Sequence, residues 1–164
     1  YARHAFVNGN LEKSAQLFEQ ASKVRPDDYQ AQLLVAQVYD SLERAEEARH
    51  ARQRGIALAA ERIEMHPDDV RAIYMGANGL VALGDREKGL LWARRAREIS
   101  PDDPMLLYNL GCIYSLAGEL EEALNCLERA ASYGLIQKGW YEHDSNLDPL
   151  RELPRFKALL ERLS

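Results

Sequence analysis

In the stretch beginning near residue 104, Leu107, Leu110, Gly111 and Tyr114 recur at steps of three and four; after Gly118, so do Leu120, Ala123, Leu124, Leu127 and Ala130. This periodicity predicts two amphipathic helices joined by a tight turn. The same pattern is written several times along the chain. Pro26-Asp27-Asp28, Pro67-Asp68-Asp69 and Pro101-Asp102-Asp103 each follow one apolar-periodic stretch and precede the next. Proline has no backbone N–H and disfavours helical geometry in the residue before it, while either aspartate can cap the following helix and suit its positive dipole end. Each triplet therefore reads as the end of one helix pair and the start of another.

The triplets stand 41 and 34 residues apart, and superposing the segments on these intervals gives columns. Ala2, Ala36, Ala77 and Gly111 share one, small wherever two helices of a hairpin cross closely. Gly9, Gly84 and Gly118 share a second, at the end of the first helix, where positive φ turns the chain; Glu43 breaks it. Ser14, Ala48, Gly89 and Ala123 form a third column, and Ala21, Gly55, Ala96 and Ala130 a fourth. Phe18 and Leu127 share a large position that is reduced to Ala93 and polar at Arg52. A single hairpin cannot bury its apolar stripe alone, so the reading is a stack of neighbours. The 41-residue interval holds seven more than the basic period, close to two helical turns, which places an extended second helix at about Ala45 to Met65. Its buried stripe is expected to hold Ala48, Gly55, Leu58, Ala59 and Ile63, with Arg49, Arg52, Arg54, Glu61 and Arg62 on the polar side.

The order Leu110-Gly111, Tyr114, Gly118, Ala123, Leu127, Ala130 resembles the signature of the tetratricopeptide repeat family, over roughly residues 1 to 134. Departures are Glu43 for glycine, Gly76 for leucine and Leu135 for the closing proline. The resemblance implies an all-α fold, a right-handed superhelical solenoid of helix-turn-helix repeats. One domain is expected over residues 1–164: a partial repeat at 1–26, a repeat with the extended helix at 27–67, repeats at 68–101 and 102–134, and a divergent helical cap at 135–164. Within the cap, Pro154 opens a short helix with Phe156, Leu159, Leu160 and Leu163 facing inward, and Trp140 and Phe156 are the expected anchors. The long helix and the segments LLYNLGCIYSLAGELEEAL and DPLRELPRFKALL are further similar to the C-terminal repeat regions of bacterial multidomain signalling proteins, which follow a kinase, cyclase or transcription-regulator domain. That resemblance implies a non-catalytic interaction or regulatory module. The sequence begins at Tyr1 within a repeat, which predicts a piece of a longer polypeptide.

Composition adjusts this picture little. With 46% hydrophobic and 29% charged residues the chain can bury a core, and its net charge of −5 argues against a sequence-independent grip on nucleic acid. Arg94, Arg95 and Arg97 beside Lys88 read as a solvated helix face. Cys112 and Cys126 have no C-x-x-C spacing, and a reduced, cytoplasmic setting follows. The four histidines are scattered without ligand spacing, no phosphate loop or nucleophile elbow is present, and Glu46-Glu47 and Glu121-Glu122 sit on exposed faces. No metal, no cofactor and no enzymatic activity are expected, and no apolar run is long enough for a direct membrane contact by spanning.

First helices line the concave side of such a stack, so their non-core residues are the expected contacts for a protein or peptide. These are Gln30, Leu33, Gln37 and Ser41; then Arg71, Tyr74, Asn78 and Ala82; then Met105, Tyr108, Asn109 and Cys112. Gln37, Arg71, Tyr74, Asn78, Tyr108, Asn109 and Cys112 form the candidate site, since amides hold an extended backbone through donor and acceptor and aromatic faces add apolar contact. The partner could belong to the same parent chain. Competing readings are self-association as a homodimer and, against the acidic balance, nucleic-acid binding.

Overall fold

The computed structural model describes residues 10–163, and every regular element among them is helical. Ala2 and Gly9, and with them the start of the partial repeat, lie outside the described residues. Helix α1 spans Leu11–Val24, α2 Tyr29–Ser41 and α3 Ala45–Met65; α4 is Val70–Ala82, α5 Arg86–Ile99, α6 Pro104–Leu116 and α7 Leu120–Ser132. Helix α8 (Lys138–His143), a 3-10 turn (Ser145–Leu150) and α9 (Pro154–Arg162) complete the chain. The protein packs as two compact units, Tyr1–Gly79 and Leu80–Ser164, with the boundary inside α4.

The second aspartate of each triplet starts the helix that follows. Asp28 accepts from the Gln30 N–H at 2.9 Å, Asp69 from Ala72 at 3.1 Å and Asp103 from Leu106 at 2.7 Å, satisfying amides that have no partner within the helix. The turns inside the hairpins are also alike. Gly84 and Gly118 take φ of +92° and +80°, and the residue after each donates its N–H back across the turn, Asp85 to Leu80 O at 3.0 Å and Glu119 to Tyr114 O at 2.9 Å. This is the closure expected of a left-handed helix end. Glu43, which lacks the glycine of its column, adopts the same conformation at φ +58°, with Arg44 N–H donating to Tyr39 O at 2.9 Å. Gly134 ends α7 in the same way, at φ +100°.

In the first unit α2 packs on both α1 and α3 around Phe18, Val35, Val38, Tyr39, Ala48 and Ala51. Helix α3 matches the expected 21-residue span, and Ala48, Gly55, Ala59 and Ile63 are buried along it. Two expectations fail here. Leu58 is only half-buried, and Arg52, assigned to the polar side, is 6% exposed. Arg52 sits in the column of Phe18 and Leu127; its aliphatic stem takes the core position, and its guanidinium pairs with Asp40 of α2.

In the second unit α6 and α7 form the hairpin, α5 packs on α6, and Leu106, Leu107, Leu110, Ile113, Leu124 and Leu127 are almost wholly buried. A Cβ placed on Gly111 would lie 2.6 Å from Leu127 Cγ, which is why the crossing column holds its smallest member here. The cap covers this hairpin: the 3-10 turn packs on α6 and α7, and α9 on α7 and α8. Phe156, Leu159 and Leu163 face inward as expected, whereas Leu160 is only half-buried. The aromatic anchor beside Phe156 is Tyr141, fully buried with its hydroxyl donating to Leu135 O at 2.8 Å, whereas Trp140 is half-buried.

Candidate protein-interaction surface

The seven residues expected to line a groove separate into two groups. Tyr74, Tyr108 and Cys112 are buried, as is Leu33, which occupies the column of the two tyrosines one repeat earlier. Leu33 approaches the positions where Gly55 and Gly79 lack a side chain, with its Cδ2 2.8 and 3.0 Å from the Cβ each would carry. That column therefore belongs to the packing between helices, one helical step further from solvent than the sequence pattern suggests. Gln37, Asn78 and Asn109 are half-buried, and Arg71 is exposed.

In the first unit α2 and α4 present Gln37, Arg71 and Asn78. The side chains of Gln37 and Asn78, which share a column, make no hydrogen bond among the described residues. At the N-terminal ends of these helices Tyr29 is buried beside Asp69 and Arg71. Burial, reinforced by the Asp69 charge and opposed by Arg71, pushes the Tyr29 hydroxyl up to about 12. Burial also acts to raise Asp69, but Arg62 Nε at 2.8 Å and the Ala72 N–H hold its carboxyl below the usual range. Tyr29 thus stays a neutral donor, and Asp69 stays an ionised cap.

In the second unit the corresponding face is occupied by the chain itself. Tyr108 lies against Trp140 and Tyr141, at centroid distances of 5.7 and 5.2 Å, and its hydroxyl is 3.0 Å from Asp144 Oδ2 and 3.2 Å from Trp140 O. Cys112 Sγ is 3.6 Å from the same carboxylate oxygen. Asn109 donates its side-chain amide to Met105 O at 2.7 Å, within its own helix. Asp144, which joins Tyr108 and Cys112 here, is not legible in the sequence; beyond Gly134 the repeat period is lost, and no column predicts its neighbours.

The second unit also holds a groove of about 560 Å³, with buried Leu90 and Tyr114 lining it and Arg94, Arg97, Glu98 and Glu122 along it. Arg97 donates to Glu122 at 2.6 Å, linking α5 to α7. The arginine run is therefore partly neutralised in place. Lys88 lies 5.7 Å from the Trp92 ring centroid. Among the described residues no group of three or more His, Cys, Asp or Glu side chains is placed to hold a metal, and no helix is long and apolar enough to cross a membrane.

Capped helix hairpins, small residues at the crossings and left-handed turn closures define an all-α helical-repeat protein. Tetratricopeptide repeats are detected in it: models of the tetratricopeptide repeat family match residues 2–61 and 104–133. Proteins built from such repeats are generally non-catalytic interaction modules. No curated protein matches the sequence. Among solved structures, MamA 41-end from Desulfovibrio magneticus RS-1 aligns over 98% of this chain and 89% of its own, at 14% identity and a TM-score of 0.49. A crystal structure of MamA aligns over 98% and 91%, at 13% identity and 0.44. YrrB, described as a TPR protein with an unusual peptide-binding site, aligns over 98% and 79%, at 17% identity and 0.45.

Proposed function

We propose that this chain is a non-catalytic module that binds a protein or an extended peptide segment through the first-helix face of its first unit. The observation that carries the reading is the pair of amides, Gln37 and Asn78, one repeat apart, whose side chains have no hydrogen-bond partner among the described residues and which are accompanied by the exposed Arg71. Amides repeated one period apart suit a peptide backbone, which offers donors and acceptors in alternation, and a guanidinium favours a segment carrying a carboxylate. The module serves as a regulatory part of a larger bacterial signalling protein. A cytoplasmic setting agrees with two unbridged, buried thiols.

The test is selection from a random-sequence displayed peptide library on the immobilised protein. Wild type is expected to enrich acidic extended peptides, and the double substitution Arg71→Ala with Asn78→Ala is expected to lose them at unchanged helicity by circular dichroism. Absence of enrichment, or equal enrichment by the double variant, would count against this surface.

A further inference from the structure

Asp144 stands where α8 meets the 3-10 turn, half-buried, its carboxylate turned toward Tyr108 and Cys112 of α6, in a segment whose Tyr141, Leu147 and Leu150 are fully buried. Its polar neighbours can be enumerated. Oδ1 accepts the Asn146 N–H at 2.9 Å, the Asn146 side chain is a further hydrogen-bonding neighbour, and Oδ2 lies near the Tyr108 hydroxyl and the Cys112 thiol of α6. Arg151 reaches this junction, but its guanidinium is directed at the backbone oxygens of Asp144 and Tyr141 and at the side chain of Asp148. His143, the neighbour in sequence, is exposed. A carboxylate in this position would be a partly buried charge with no ion-pair partner among the described residues, a cost that neutralising the group removes.

Proton counting points the same way. Tyr108 has one hydroxyl proton and two acceptors within reach, Asp144 Oδ2 and Trp140 O, the latter also accepting the Asp144 N–H at 3.1 Å. If Asp144 is ionised, Tyr108 must choose between them. If Asp144 is protonated on Oδ2, it donates to Tyr108, Tyr108 donates to Trp140 O, the Cys112 thiol still has an oxygen lone pair to meet, and Oδ1 keeps the Asn146 N–H. Only the neutral acid satisfies both contacts of the tyrosine at once.

We propose that Asp144 is a proton-operated latch: as a neutral acid it fastens the C-terminal cap to α6, and on ionisation it loosens the cap and uncovers the Tyr108 and Cys112 face of the last repeat. In accord with this geometry, burial raises the Asp144 carboxyl above its ordinary value despite the opposing hydrogen bonds, and burial likewise raises Tyr108 and Cys112, so both stay protonated donors. The sign follows from linkage. A carboxyl whose docked pKa exceeds its free value binds its proton more tightly when docked, so docking is strongest below the free value and weakens as pH rises through the docked value.

The experiment is amide hydrogen exchange of the wild-type protein by mass spectrometry between pH 4.5 and 8, corrected for intrinsic exchange, with peptides from residues 138–150 followed against an internal reference in α7. Protection of 138–150 is expected to fall several-fold or more with rising pH while α7 holds. Asp144→Asn, a neutral isostere that also keeps a 3-10 cap, is expected to be more protected than wild type at pH 8 and indifferent to pH. Flat protection in wild type, or an Asp144→Asn variant less protected than wild type at pH 8, would overturn the latch.

Discussion

Arg52 fills with a charged side chain the column that Phe18 and Leu127 fill with hydrocarbon. Its partner Asp40 is about half exposed, so the ion pair is screened by water on one side, and much of the residue's contribution comes from the stem occupying core volume. Arg52→Ala should therefore lower unfolding stability by about 2–3 kcal/mol, whereas Arg52→Met, which keeps the volume, should stay within about 1 kcal/mol of wild type. Urea midpoints followed by circular dichroism measure both; equal losses in the two variants would place the energy in the charge. Glu43 is the other residue at odds with its column. A side chain in the left-handed region costs roughly 1–2 kcal/mol, part of which glycine returns through its greater freedom when unfolded. Glu43→Gly should stabilise by about 0.5–1 kcal/mol in the same measurement, and a loss would mean that the Glu43 side chain contributes more than the turn does.

The cap behaves as a structural substitute for a further repeat. Helix α9 is clamped to α7 by Arg155, whose guanidinium reaches Glu121 at 3.0 Å, Asn125 at 2.7 Å and Glu128 at 2.7 Å, residues stacked along one face of α7. Beneath the clamp Leu147, Leu150, Phe156, Leu159 and Leu163 are buried, each contributing about 1.5–3 kcal/mol on the usual scale for apolar side chains. Their sum rivals the roughly 5–15 kcal/mol by which a domain is ordinarily stable. Truncation after Gly134 should therefore give a protein that aggregates or is partly unfolded at the second unit. A soluble truncation with unchanged thermal midpoint and a monomeric elution profile would contradict this assignment.

Across the molecule, what can be read from the sequence is what repeats. Helix order, the caps at Asp28, Asp69 and Asp103, the left-handed turns and the extent of α3 all follow from columns and punctuation. The side of the helix on which Leu33, Tyr74 and Tyr108 fall is easily misread, because a tyrosine near the margin of an apolar stripe looks amphipathic from composition while its ring is spent on neighbouring helices. Arg52 is legible by position and misleading by charge. Asp144 lies beyond the last period, where only three-dimensional packing brings α6 and the cap together. Helix α3 carries a further implication for how such a chain can vary. Seven additional residues add roughly 10 Å of helix yet shift its rotational phase by only about 20°, so Ala59 and Ile63 keep pointing inward. Three or four would swing them by roughly 60° or 40°. A change of length in this helix is thus compatible with the same inward-facing stripe when it adds close to two full turns, as seven residues do.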